Sequence, residues 1–427
     1  MRVQSWGRLT EYSVDAAPID SRLAAVSQFK KRPALPHGAG RSYGDVAISN
    51  SIWLTTHLNR FIAFDETTGL LTVESGVLLG DIQRLFGTRG WLLPVTPGTQ
   101  FVTVGGAIAN DVHGKNHHSA GTFGEHVTEF TLIRSDGSER ICSPKENSEL
   151  FAATIGGLGL TGLITQATIR LKKVSGPWID AETIAFKDIS EFFRISAASE
   201  AYEYCVAWFD CTAASGRGIF TRGNHSTVNK HLKPKKPITF AVTPPISLIN
   251  RATLKLLNTG YYLLGKATQG AKTMHYEPFF YPLDGIRQWN RAYGPKGFFQ
   301  HQCVLPEATA QEALTELLLA IRKARAGSLL AVLKTTGERN LPGLLSFGMK
   351  GVTLALDFPN QGTKTIELLS TLEGIVNKYD GRINPSKDAT MTPETFTKGF
   401  ANKDRFLKQK DKALTSLFFE RVIERKP

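Results

Sequence analysis

Three glycine-rich runs have the spacing to cradle an anionic ligand. The first is Pro36-His37-Gly38-Ala39-Gly40-Arg41-Ser42-Tyr43-Gly44-Asp45, with three glycines in seven residues. Such a run turns sharply and aims successive amides at one spot, a nest suited to phosphate. An ordinary tight turn is the competing reading. The second joins Pro97-Gly98-Thr99 to Thr103-Val104-Gly105-Gly106-Ala107-Ile108-Ala109-Asn110-Asp111-Val112-His113-Gly114. Its small residues allow close approach of a large ligand, and amides at a helix start there favour a diphosphate. Tight helix packing would explain the alanines, but not the polar Asn110, Asp111 and His113 that follow. The third, Gly157-Leu158-Gly159-Leu160-Thr161-Gly162, spells G-x-G-x-x-G. A helix-like stretch precedes it and a strand-like stretch follows, the reverse of the dinucleotide fingerprint. A Rossmann fold is excluded, and with it a simple NAD dehydrogenase.

Other side chains could do chemistry. His113, His117 and His118 lie close together, but no Cys or carboxylate accompanies them at metal-site spacing, so no metal is expected. Lys387 ends the run Gly381-Arg382-Ile383-Asn384-Pro385-Ser386-Lys387. Spacing alone does not distinguish a functional lysine there from a solvated one. Cys142, Cys205, Cys211 and Cys303 are few and show no paired spacing, which argues against a disulfide scaffold.

The elements that must position these residues read as α+β. Strands are expected at 52–55, 70–74 and 163–171, the last with Leu163, Thr165, Ala167, Ile169 and Leu171 on one face. A helix over 78–86 stops at Gly87 and Gly90. Further strands fall at 203–209, 298–305, 328–334 and 351–358, with helices at 309–326 and 363–378. Thr392 and Pro393 start another helix, as cap and first turn. We expect a domain over 1–175, a second over 176–380, and a helical segment over 381–427 that returns to the first.

The chain has 427 residues, 41% apolar and 21% charged, enough for two or three domains and a large core. Its net charge of +13 is uneven. Residues 212–276 hold no Asp or Glu but ten basic residues, including Lys230, Lys233, Lys235, Lys236, Arg251, Lys255 and Lys266. The remainder is close to neutral, with 41 basic against 38 acidic residues. That distribution suits an anionic membrane surface better than nucleic acid, so no nucleic-acid partner is expected. The run 246–264 reads as an interfacial helix. A solvated basic insertion carries equal weight. The start has no signal-peptide pattern and no segment reads as a membrane span, so the expected address is cytoplasmic, peripheral to the inner face of the plasma membrane.

Taken together, the motifs resemble the vanillyl-alcohol oxidase type of flavoprotein, with a PCMH-type FAD-binding domain. The resemblance runs from Trp6-Gly7-Arg8 through His113-Gly114-Lys115-Asn116-His117-His118-Ser119-Ala120-Gly121, Phe280-Tyr281-Pro282-Leu283-Asp284 and Met349-Lys350-Gly351 to Lys387-Asp388. It implies a two-lobed FAD domain plus a substrate domain built on an antiparallel sheet with helices. It assigns FAD to Gly38, Gly40, Arg41, Ser42, Tyr43, Gly44, Gly98, Thr103, Val104, Gly105, Gly106, Asn110, Asp111, His113, Ile164 and Asn384. It places Gln300, Gln302, Lys334 and Lys387 in the substrate pocket, with Lys387 and His113 nearest the chemistry. Covalent relatives often carry His where Arg41 stands, so FAD is expected to be non-covalent. The implied reaction is oxidation of the 2′-hydroxyl of a polyprenylphosphoryl ribose, a lipid-linked sugar phosphate, with a short-chain reductase completing epimerisation. Oxidation of a soluble alditol or aldonolactone on the same fold is the alternative, and a non-enzymatic membrane or polyanion binder a third. Mycobacterial relatives have Tyr at Asn384 and Cys at Ala355. The general base is not identifiable from sequence.

Overall fold

The computed structural model describes residues 1–228 and 237–424. Three sheets of three or more strands organise them. Asp15–Pro18, Ser51–Leu54 and Leu35–His37 form a small parallel sheet. Glu139–Cys142, Val127–Ile133, Leu163–Arg170, Leu70–Glu74 and Phe61–Asp65 form an antiparallel sheet in that order. The alternation predicted for 163–171 is realised there. Leu163, Thr165, Ala167 and Ile169 are buried, while Gln166 and Thr168 are less so. Helix Leu79–Gly87 covers this sheet with Leu79, Ile82 and Phe86.

The third sheet has eight antiparallel strands. Its order is Gly270–His275, Trp178–Phe186, Gly218–His225, Tyr204–Phe209, Ala331–Thr336, Gly351–Pro359, Phe298–Pro306 and Arg382–Ile383. Helices Ala310–Lys323 and Thr363–Lys378 pack behind it through Leu314, Leu317, Leu369 and Leu372. The last strand comes from the tail, so the sheet hands the chain back toward its beginning.

The tail is then pinned to the first glycine run. Tyr43 N–H donates to the Ser386 carbonyl at 3.0 Å. Arg421 donates to Asp45 at 2.8 Å and to Asp388 at 3.1 Å. Gly44 lies so close to Asp388 that a Cβ would meet its carbonyl oxygen at 1.6 Å. Only glycine fits there.

The basic segment is not one insertion. It supplies two strands of the large sheet and the helix Arg251–Ala267. That helix starts at Arg251, later than the expected 246, because Asn250 caps it through the amides of Ala252 and Thr253. Among its described cations, two are neutralised from outside the segment, Arg222 by Glu182 at 2.7 Å and Arg217 by Asp210 at 3.3 Å. Lys230, Lys233, Lys235 and Lys236 lie outside the described residues.

Candidate active site

A cavity of about 950 Å³ opens between the glycine loops and the eight-stranded sheet. Strand periodicity builds its sheet wall. Gln300 and Gln302 share one face of their strand, Val332 and Lys334 one face of the next, and Thr353 and Ala355 one face of the strand between, all lining the cavity. The intervening His301, Cys303, Leu333 and Leu354 turn into the core.

The opposite wall carries most of the residues expected to hold a cofactor. Gly38, Gly40, Arg41, Ser42, Tyr43, Gly98, Thr103, Gly105, Gly106, Asn110 and Ile164 line it. Gly40 has φ 62°, a left-handed turn that favours glycine. Among the described residues, the amides of residues 39–42 donate to no protein acceptor, which leaves a nest for an anion. Arg41 Nε, Ser75 Oγ and Asn110 Oδ1 are buried without a hydrogen-bond partner in the protein. Buried polar atoms without partners are costly, so these three point to a polar ligand.

Other expected positions differ. Gly44, Val104 and Asp111 do not line the cavity. Val104 is core, and Asp111 bonds Gly124 N–H at 2.9 Å and Ser346 Oγ at 2.5 Å. The helix start at 104–106 offers no free amides for a diphosphate. Val104, Gly105 and Gly106 already donate to Val77 O, Ser75 O and Thr103 Oγ1. Among the described residues, no three His, Cys, Asp or Glu side chains converge as a metal site.

Lys387 and Asn384 approach from the tail. Lys387 Nζ lies 4.2 Å from the centroid of the Tyr43 ring. Burial pushes its ammonium down to about 8, with Asp357 pulling back. Asp357 accepts from Gln300 Nε2 at 2.5 Å, and burial pushes its carboxyl up to about 7.

A chain of hydrogen bonds sets proton positions across the sheet wall. Ser386 N–H donates to Asn384 Oδ1 at 3.0 Å, which fixes that amide's orientation. Asn384 Nδ2 therefore donates to Gln302 Oε1 at 3.0 Å, and Gln302 Nε2 donates to His113 Nε2 at 3.2 Å. His113, neutral because burial holds it well below the ordinary histidine range, then carries its proton on Nδ1. That N–H faces Lys334 Nζ, which must accept. The geometry calls for an uncharged amine, and burial next to Lys115 lowers Lys334 to about 7. Lys334 also donates to Gly114 O at 2.7 Å.

Sequence reasoning missed two neighbours of this group. Lys115 lines the cavity, donates to the Phe279 carbonyl and is pushed down to about 8 by burial. Its place in the His-Gly-Lys-Asn run was the available signal. Asp357 carried no signal from spacing.

An FAD binding domain family matches residues 21–143. The decaprenylphosphoryl-beta-D-ribose oxidase of Mycolicibacterium smegmatis is 32% identical over 95% of this chain and 93% of its own length. The chain belongs to this oxidase family. As a member it is an FAD-dependent oxidoreductase acting on a sugar. More distant relatives match only in part. A D-lactate dehydrogenase of Anaerostipes hadrus is 27% identical over 45% of this chain and 44% of its own. The Delta(24)-sterol reductase of Homo sapiens is 34% identical over 27% of this chain and 22% of its own. The open nest at 39–42 and the three orphaned polar atoms fit the family's FAD.

Proposed function

We infer that this chain oxidises the 2′-hydroxyl of a polyprenylphosphoryl-β-D-ribose to the 2′-keto sugar, with FAD held non-covalently. The observation that carries the reading is the meeting of Lys387, Lys334, His113, Gln302 and Asn384 in one cavity beside the glycine nest. Bound FAD would supply a two-electron hydride acceptor.

The chain's own groups do the rest. The 38–43 loop, Gly98 and Asn110 hold the cofactor. Lys387 sets a cation beside Tyr43, where it orients the alcohol and offsets developing negative charge. Gln300 and Gln302 offer amides to the sugar hydroxyls. Lys334 Nζ, uncharged in the resting network, has room for one proton at neutral pH. Arg41 is no nucleophile, and both ring nitrogens of His113 are already engaged, which supports non-covalent FAD.

The lipid part of the substrate calls for a membrane nearby. Helix Arg251–Ala267 exposes Leu256, Leu257, Leu263 and Leu264 on one flank and places Arg251, Lys255 and Lys266 on another. Its later turns reach the cavity through Tyr261, Leu264 and Gly265. Residues 212–276 would thus dock on an anionic bilayer at the inner face. Among the described residues, no helix is long and apolar enough to cross it. A short-chain reductase would then reduce the keto group from the opposite face. The division into 1–175, 176–380 and 381–427 belongs to the same reading, with FAD on the first and last.

Anaerobic mixing with polyprenylphosphoryl-ribose tests it. The flavin absorbance should bleach with the lipid-linked sugar and persist with an alditol. Bleaching by the alditol alone would replace this reading with oxidation of a soluble sugar alcohol.

A further inference from the structure

Six cationic side chains line the large cavity, Arg41, Lys115, Lys272, Arg287, Lys334 and Lys387, against one carboxylate, Asp284. Arg41 faces Asp284. Lys387 faces the buried Asp357. Lys334 meets His113 as an uncharged amine. Lys272 and Arg287 are exposed, where water and salt screen them. Lys115 is left. It is partly buried, and among the described residues no carboxylate offsets its charge.

Its surroundings hold that charge in place without neutralising it. Lys115 Nζ donates to the Phe279 carbonyl and lies 4.7 Å from the centroid of the Phe279 ring. An ammonium has three N–H groups, and the carbonyl takes one. A cation fixed at a cavity wall with donors to spare is a receptor for an anion. A sugar hydroxyl would not offset the charge, whereas a phosphate ester would accept a charge-assisted hydrogen bond and offset it.

We propose that Lys115 binds the phosphate of the substrate, the link between its sugar and its lipid. The proposal rests on the oxidase reading for the identity of that phosphate ester. The position suits a link. On one side, Lys115 follows His113 and Gly114, and the Gly114 carbonyl accepts from Lys334 at 2.7 Å. On the other, its ammonium rests on Phe279, where Met274, Pro278, Phe279 and Phe280 give the cavity an apolar wall. Groups that suit a sugar and groups that suit an isoprenoid chain thus join at this lysine. The free amides at 39–42 are available to the phosphates of FAD, so the two anions need not share one site.

Titration calorimetry of the FAD-loaded enzyme tests it, with citronellyl phosphate and citronellol as probes. Lys115→Met keeps the apolar stem and removes the charge. It should bind citronellyl phosphate at least about tenfold more weakly than the parent, and citronellol within about twofold of it. Equal affinity of the two proteins for citronellyl phosphate, or no binding by the parent, overturns the proposal. Loss of flavin absorbance from the variant also overturns it, because the lysine would then serve the cofactor. Acetylation of the parent keeps the test independent of how the variant folds. Citronellyl phosphate should protect Lys115 from acetic anhydride, read by peptide mass spectrometry, while citronellol and inorganic phosphate at the same concentration should not. Equal protection by inorganic phosphate makes this a free-anion site and overturns the proposal. Anaerobic flavin reduction by a short-chain prenylphosphoryl-ribose separates the two readings. Bleaching with the same concentration dependence in parent and variant strikes Lys115 and leaves the oxidase reading. Phosphate binding through Lys115 without bleaching strikes the oxidase reading and leaves the phosphate site standing.

Discussion

Asn384 donates to Gln302 across 3.0 Å, and that one bond decides which nitrogen of His113 carries a proton. In Asn384→Asp the donor becomes an acceptor facing another acceptor. Gln302 must turn over, its Oε1 then meets His113 Nε2, and the histidine proton moves there. Lys334 is then free to stay protonated. Nitrogen NMR of labelled histidine should show the Nδ1–H tautomer in the parent and the Nε2–H tautomer in the variant. An Nε2–H signal in the parent would sink the proposed proton order.

Lys387 is proposed as the cation of the site. Lys387→Ala should keep most of the FAD, since the nest at 39–42 is untouched, and slow anaerobic reduction by substrate at least about a hundredfold. The absorbance spectrum reports the first and stopped-flow bleaching the second. Unchanged reduction would remove Lys387 from the chemistry.

Lys334 should make stability depend on pH. Its folded pKa, about 7, lies below the ordinary lysine value of 10.5. Between these values the unfolded chain binds a proton that the folded chain lacks, so this group's contribution to stability rises with pH across that window. Below about pH 7 the penalty of protonating a buried amine is present in full. Lys334→Met should therefore stabilise the enzyme more at pH 6 than at pH 10, by a difference of about 2–4 kcal/mol. Chemical denaturation at the two values measures it.

Arg421 is the clasp between the tail and the first loop. Arg421→Ala leaves Asp388 buried without its cation, a loss of about 3 kcal/mol. The turn that carries Lys387 should loosen, and FAD should dissociate faster. Denaturant midpoints and release of flavin fluorescence follow the two effects separately.

The four cysteines are buried, and those at 142, 205, 211 and 303 are all pushed up to about 12, chiefly by burial. A thiol-directed reagent shaped for the cavity should leave the parent unlabelled. Ala355 lines the cavity, so Ala355→Cys should label rapidly at one site. Intact-protein mass spectrometry distinguishes the two.

Much of this site was legible before the fold was known, and the reasons are local. Alternation over 163–171 gave a true strand because one face is buried and the other is not. Gly40 declared a turn because its backbone is left-handed. Other features depend on partners far away in the chain. The helix start at 104–106 looked like a diphosphate site, yet Ser75 and Val77 consume its amides. The ten cations of 212–276 looked unopposed, yet Asp210 and Glu182 come from outside to meet two of them. Lys334 and His113 stand 221 residues apart, and no spacing rule joins them.

The clasp between Arg421 and Asp45 spans 376 positions. A ribosome that has made nine-tenths of the chain has therefore not yet made a finished cofactor wall. The first loop must wait, with its amides exposed, until the tail arrives. Such late closure between distant segments slows folding and prolongs exposure of an unfinished surface. Flavin supply during expression should accordingly affect yield more than flavin added to the purified protein.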